Sequence, residues 1–351
     1  MAPSILITGA TGYIGGSLLR SLLSANVPPS SICTIVRSSA QAESLKPLKV
    51  KTVQASLTDE DAIRSVVLDN AVDIVIHTVS AVDYTLAAPL LKALKARKEQ
   101  TKQAMHFIHT SGISAFADKT GWPHGVAEET DDLFELQKNA PISYPVREAD
   151  VAIHKMADEY GIAIYTVVPP LVYGKGSGTG NRISVQIPTV IRAAIANKQV
   201  YHFSENSEWP AVHISDLVDY YTRLIQGIIE QRSIPSGKCG YYLVSAHRLN
   251  WHDLLSTLAK ELFTRNLVSN ASVTVWPSEE IKTKSLGLPS PYSDIGWNSN
   301  AYVLSKRDKE LGWQPKWDNQ RFLREIGEEV ETVLEAGADV KDLANLLPNQ
   351  S

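Results

Sequence analysis

The segment Ile5-Leu-Ile-Thr-Gly9-Ala-Thr-Gly12-Tyr-Ile-Gly15-Gly-Ser-Leu-Leu constrains this chain more than any other. An apolar strand runs into Gly-x-x-Gly-x-x-Gly and then straight into a helix. Each glycine has its own reason: Gly9 permits the tight turn, Gly12 lets the backbone approach a diphosphate, and Gly15 lets helix and strand pack closely. Unsatisfied N–H groups at the positive end of the helix then receive the phosphates. A turn can need glycines for geometry alone, so the triplet by itself is a weak signal. Strand, spacing and helix coincide here, which points to dinucleotide binding, with Thr11, Tyr13 and Ile14 as further contacts.

Up to about residue 173, β-branched runs alternate with helical stretches. The strands read as Ser4–Thr8, Ile32–Val36, Lys49–Gln54, Asp73–His77, His106–Thr110 and Ile164–Val168. Several are apolar throughout, as strands covered on both faces are. The helices read as Ser17–Ser24, Asp59–Asp69 (opened by the capping box Thr58-x-x-Asp61), Tyr84–Gln103 and Asp150–Tyr160. Such alternation implies right-handed βαβ units and a Rossmann-type α/β fold, a doubly wound parallel sheet. After Gly174 the texture changes. Gly174-Lys-Gly-Ser-Gly-Thr-Gly180 reads as a mobile loop, and Leu286–Asn300 is rich in Pro, Ser and Asn. A dinucleotide-binding domain over 1–173 and a smaller α/β substrate lobe over 174–351 are expected, with about 209–245 returning to the sheet.

The nucleotide is chosen at the end of the second strand. A site for NAD places Asp or Glu there to bond the ribose 2′-hydroxyl. Ile32-Cys-Thr-Ile-Val36 instead ends in Arg37-Ser38-Ser39, with no acid before Glu43. A guanidinium beside hydroxyls suits a 2′-phosphate, which Arg grips in a bidentate fork. NADP is therefore expected ahead of NAD.

These residues resemble the extended short-chain dehydrogenase/reductase family, which includes NAD(P)-dependent sugar-nucleotide epimerases and dehydratases and enzymes similar to dihydroflavonol reductases. The likeness covers most of the chain. Besides the glycine turn it is carried by Asp73-Ile-Val-Ile-His77, Phe107-Ile-His-Thr-Ser111, Val168-Pro-Pro-Leu-Val-Tyr-Gly174, Trp209-Pro-Ala-Val-His-Ile-Ser-Asp-Leu217 and Leu311-Gly-Trp-Gln-Pro315. The resemblance implies ribose and nicotinamide contacts at His77, Thr78 and Val79 and at Pro169, Leu171 and Val172. The adenine contact, often Asp in the family, falls to Ser56 and Leu57. Substrate is expected in the cleft above the strands' carboxyl ends.

The family's hydride transfer uses a Ser or Thr on the fifth strand and a Tyr-x-x-x-Lys pair at a helix start. Ser111 fits the first role, with Thr110 and Ser114 close by. Tyr144, followed by Pro145 at the first helical position, fits the second. The lysine is absent: Glu148 stands at i+4 and Arg147 at i+3, both on the tyrosine's side of the helix. A carboxylate there raises the phenol's pKa and a guanidinium lowers it, so Arg147 is the expected stand-in.

The chain has 351 residues, 44% of them hydrophobic, with 34 Lys+Arg against 38 Asp+Glu, net charge −4. That balance disfavours a nucleic-acid binder. No apolar run is long enough to span a membrane, and Met-Ala-Pro-Ser lacks the opening of a signal peptide. Cys33 and Cys239 are too few for a disulfide framework or zinc site, and His106 and His109 point to opposite faces of one strand, so no metal is expected. A cytoplasmic NADP-dependent oxidoreductase acting on a carbonyl of a small organic substrate is the leading expectation. A non-redox epimerase or dehydratase and a dinucleotide sensor without catalysis are the alternatives. A homodimer through a four-helix interface is common in the family, and the sequence does not decide it.

Overall fold

The computed structural model describes residues 3–337; Met1 and Ala2, and residues 338–351 of the expected second lobe, lie outside the described residues. Seven short runs form one sheet with every strand parallel to its neighbours. Their spatial order is Tyr241–Leu243, Ala163–Val168, His106–Thr110, Val72–His77, Ser4–Thr8, Ile32–Val36, Lys51–Gln54. The strand period of two explains the apolar runs. Ile5, Ile7, Ile74, Ile76 and Ile108 pack on one face; Leu6, Val75, Phe107 and Ile164 pack on the other. Helices Tyr13–Ser24 and Ile214–Ile229 cover the first face, and Glu60–Asp69, Ala88–Thr101 and Pro145–Tyr160 cover the second. From Ser4–Thr8 the chain builds outward to Lys51–Gln54, then crosses to Val72–His77 on the opposite side. Such a switch opens a crevice at the strands' carboxyl ends.

A second core gathers helices Gln186–Asn197, Trp251–Thr264 and Ile326–Ala336 beside a three-stranded sheet in the order His247–Asn250, Glu208–His213, Leu171–Tyr173. Of the segment 209–245, Tyr241–Leu243 closes an edge of the large sheet, whereas Glu208–His213 pairs in the small one. The two late sequence motifs are stapled together. Trp313 Nε1–H donates to the Asp216 carbonyl at 2.9 Å, and the Asp216 carboxylate accepts the N–H groups of Lys316 and Trp317, each at 2.9 Å. Their conspicuous residues are scaffold.

Several boundaries differ from the sequence reading, each for a local reason. The third helix starts at Glu60 and its cap is Asp59, whose carboxylate accepts the Ala62 N–H at 3.0 Å, one residue after the Thr58 expected to cap it. The stretch Tyr84–Gln103 divides into a 3₁₀ turn and the helix Ala88–Thr101, with Pro89 in its first turn and Lys102 in the left-handed region. The following helix begins at Pro145, where the Tyr144-Pro145 pair put its first position, five residues before the helical stretch Asp150–Tyr160 read from periodicity. The loop 174–180, expected to be mobile, is hydrogen-bonded to the glycine turn (below). On Ala88–Thr101, Lys92 pairs with Glu60, Arg97 with Asp73, and Lys98 donates to the Gly161 carbonyl, so its cations are engaged by the protein itself. No helix among the described residues is long and apolar enough to cross a membrane.

Candidate active site

The glycine turn closes on itself. Gly12 N–H donates to the Gly9 carbonyl at 2.8 Å, and Gly9 takes φ +79°, where a side chain is strained. A Cβ at Gly9 would lie 2.6 Å from Thr78 Oγ1, and one at Gly15 would strike both the Gly9 carbonyl and Thr78 Oγ1. Thr78 Oγ1 itself donates to the Thr8 carbonyl at 2.8 Å. Strand, turn and helix therefore meet at van der Waals distance with Thr78 as the seal. The N–H groups of Tyr13 and Ile14, in the first helical turn, meet no acceptor among the described residues. Bare amides at a helix start are a ready anion site, so these residues fit a dinucleotide's diphosphate.

At the end of the second strand Arg37 is exposed and makes no side-chain hydrogen bond or ion pair among the described residues. Ser38 is partly committed, capping the next helix by accepting the Gln41 N–H at 3.3 Å. Ser56 is exposed and its hydroxyl bonds Thr58 at 2.8 Å. Leu57 is sunk in the core beside Ile35 and Ile63. Among the family-implied contacts, Thr78 and Val79 lie at the crevice and Val79 is exposed. Three side chains turn away from it. His77 is fully buried with Nδ1 on Thr8 Oγ1 at 2.9 Å; Leu171 is fully buried in the second core; Pro169 is buried, its carbonyl accepting the Ile113 N–H. Only the backbone of these three remains to meet a ligand. Val172 is half-buried against the first core.

Tyr144 caps the helix Pro145–Tyr160 in extended conformation, φ −146° and ψ 128°, as a residue before proline prefers. The hydroxyl that acts on its phenol is that of Ser114, which pulls the phenol's pKa down; Ser111 Oγ donates instead to Asp150 at 2.8 Å in a buried network. Thr110 is likewise engaged, with the Tyr221 hydroxyl at 2.7 Å. Glu148 is exposed and accepts from Ser143 Oγ. Arg147 is 2% exposed and donates to the carbonyls of Ala115 (2.6 Å), Thr120 (2.7 Å) and Ile142 (2.9 Å), with its guanidinium 5.2 Å from the Tyr144 ring centre. It bears on the phenol by charge alone, since its donors are turned to the protein. Burial pushes the Tyr144 phenol above its ordinary value; Ser114 and the Arg147 charge pull it down, and burial prevails. The phenol is protonated at neutral pH, which suits a proton donor.

Beneath the crevice lies a row of buried polar groups that periodicity gave no hint of. His109 Nε2 and Gln137 Nε2 each contact the fully buried Asp150 carboxylate at 3.1 Å, and His77 stacks beside His109. His154 bonds Thr166 Oγ1 at 2.8 Å. Desolvation holds both His77 and His154 down at about 3. An imidazole lowered on folding stabilises the fold fully only above its unfolded value of about 6.5, and that contribution is lost as pH falls toward 3. Two such groups give a stability loss of about 2.7 kcal/mol per pH unit over much of that window. Thermal melts between pH 7 and 4.5 are expected to show a steep fall in Tm; a flat profile contradicts it.

Comparison with known proteins agrees with this geometry. The family described as NAD dependent epimerase/dehydratase matches residues 5–233. Among curated relatives, the oxidase ucsJ of an Acremonium species is 25% identical over 335 residues, covering 90% of this chain and 93% of its own. Dihydroflavonol 4-reductase of Zea mays is 24% identical, with 73% of each chain covered. Among solved structures, UDP-glucose 4-epimerase from Thermotoga maritima superposes with a TM-score of 0.64 at 15% identity, covering 95% of this chain and 99% of that one.

Proposed function

The chain belongs to the NAD dependent epimerase/dehydratase family, which binds a nicotinamide dinucleotide, and from that premise we propose that it is an NADP-dependent reductase of a carbonyl on a small organic substrate. The carrying observation is Tyr144 at the mouth of helix Pro145–Tyr160, with the Arg147 guanidinium 5.2 Å from its ring centre, in a molecule whose parallel sheet opens on the glycine turn. Bound in the crevice at the strands' carboxyl ends, the reduced nicotinamide supplies a hydride. The protein's own part is acid and orientation. Amides of Tyr13 and Ile14 and the seal at Thr78 hold the diphosphate, and Arg37 takes the 2′-phosphate. The Ser114 hydroxyl and the Arg147 charge lower the cost of deprotonating the Tyr144 phenol, whose Oη–H gives its proton to the substrate oxygen. Arg147 keeps positive charge beside the phenolate so formed, the electrostatic half of the absent lysine's work. A phenol held above its usual pKa is protonated at neutral pH, the state a carbonyl reduction requires, and the Arg147 charge offsets part of the cost of releasing that proton.

Two measurements test this. Calorimetry with NADPH and NADH on wild type and Arg37→Ala is expected to show a NADPH preference that the variant loses by roughly 10- to 100-fold, as for one charged hydrogen-bonding partner. NADPH oxidation across a panel of aldehydes and ketones is expected in the wild type. Binding without turnover over that panel favours the sensor reading, and product without net cofactor change favours the epimerase.

A further inference from the structure

The second glycine-rich loop is docked on the first. Asn181 N–H donates to the Thr11 carbonyl at 2.8 Å, and a Cβ on Gly180 would collide with that same oxygen. A Cβ on Gly178 would lie 2.9 Å from Gly16 Cα. Ser177 N–H donates to Ser17 Oγ at 3.1 Å, and Ser17 Oγ donates in turn to the Tyr13 carbonyl at 2.7 Å. The loop's entrance is held from both sides: Tyr13 Oη–H donates to the Gly174 carbonyl at 2.7 Å, while the Gly174 N–H meets the buried Glu329 carboxylate of helix Ile326–Ala336. Every residue from Thr11 to Ser17 that touches this loop belongs to the turn or helix start fitted for the diphosphate. Beyond Arg182 the chain enters helix Gln186–Asn197 of the second core.

We propose that Tyr13 is a positioning residue which ties the dinucleotide turn to the loop 174–182, so that filling the turn and anchoring the second lobe are coupled. The proposal rests on the dinucleotide reading. Tyr13 serves both partners: its main-chain N–H lies among the amides offered to the diphosphate, and its phenol holds the loop. Burial and the nearby Glu329 raise that phenol well above its ordinary value, so it stays a donor throughout the working pH range. Coupling between two sites is reciprocal: if a closed loop tightens the dinucleotide by some factor, bound dinucleotide steadies the loop by the same factor.

The test compares wild type, Tyr13→Phe and Gly180→Ala by hydrogen exchange of the 174–182 amides with and without NADPH, alongside calorimetry of NADPH. Tyr13→Phe removes one hydroxyl; Gly180→Ala pushes the loop off Thr11 without touching the buried phenol. In the wild type NADPH is expected to raise protection of 174–182. In both variants protection without ligand and affinity for NADPH are each expected to fall about fivefold, the worth of one buried hydrogen bond. The amides of Ala88–Thr101, which cover the opposite face of the large sheet, serve as the folding control and are expected to be unchanged. Equal affinity and equal ligand-induced protection in the variants overturn the coupling while leaving the dinucleotide reading intact. No binding of NADPH or NADH to the wild type overturns that reading, and the coupling with it.

Discussion

Turnover by Tyr144→Phe is expected to fall by about 10²- to 10⁴-fold, the range for removing a positioned proton donor, with NADPH affinity nearly unchanged. The two nearby serines separate this from a general disturbance. Ser114→Ala deletes the hydroxyl that pulls the phenol's pKa down, and a loss of roughly tenfold is expected, in line with one hydrogen bond in the transition state. Ser111→Ala deletes a hydroxyl turned to Asp150 inside the sheet, so its effect is expected on stability, by about 1 kcal/mol, with turnover per folded molecule close to wild type. Steady-state kinetics beside thermal melts read all three. Abolished turnover in Ser111→Ala with an unaffected Ser114→Ala would reverse the assignment.

Arg147→Met is expected to be the most destabilising single change in the site. It strands the carbonyls of Ala115, Thr120 and Ile142, and the cost is about 3 kcal/mol or more because buried acceptors lose their donor. In a chain of this size that lowers Tm by roughly 4 °C or more. It also withdraws positive charge from beside Tyr144, so the folded fraction is expected to lose turnover with the phenol's pKa raised further. Arg147→Lys restores charge without the fork of donors, and partial recovery of turnover at low stability separates the two roles. A variant as stable and active as wild type removes Arg147 from both.

The parallel sheet was legible because its signals are local. Gly9 and Gly12 close one tight turn, and the continuous apolar run Ile5-Leu-Ile marks a strand covered on both faces. The helix start beside Tyr144 was legible through Pro145. What the sequence hid was that the Ser111 hydroxyl is taken by another partner. Ser111 and Ser114 lie three residues apart across the short 3₁₀ turn Ile113–Phe116, and the choice depends on Asp150, a helix residue that captures Ser111 through a contact 39 residues away in sequence. The side chains of His77 and Leu171, two of the family-implied contacts, are buried by partners distant in sequence, Thr8 for the one and the second core for the other. The glycine loop at 174–180 read as slack because composition cannot distinguish glycines needed for freedom from glycines needed for contact.

The strand Tyr241–Leu243 lies flush against Ala163–Val168 at the margin of the large sheet, although about seventy residues, many of them in the other core, intervene along the chain. A polypeptide cut after residue 173 would therefore expose the backbone of Ala163–Val168 as an uncapped, apolar rim, ready to pair with another copy. The nucleotide-binding half is complete only when the protein has been synthesised well past its midpoint, so attempts to excise it for binding studies should carry the chain through residue 243.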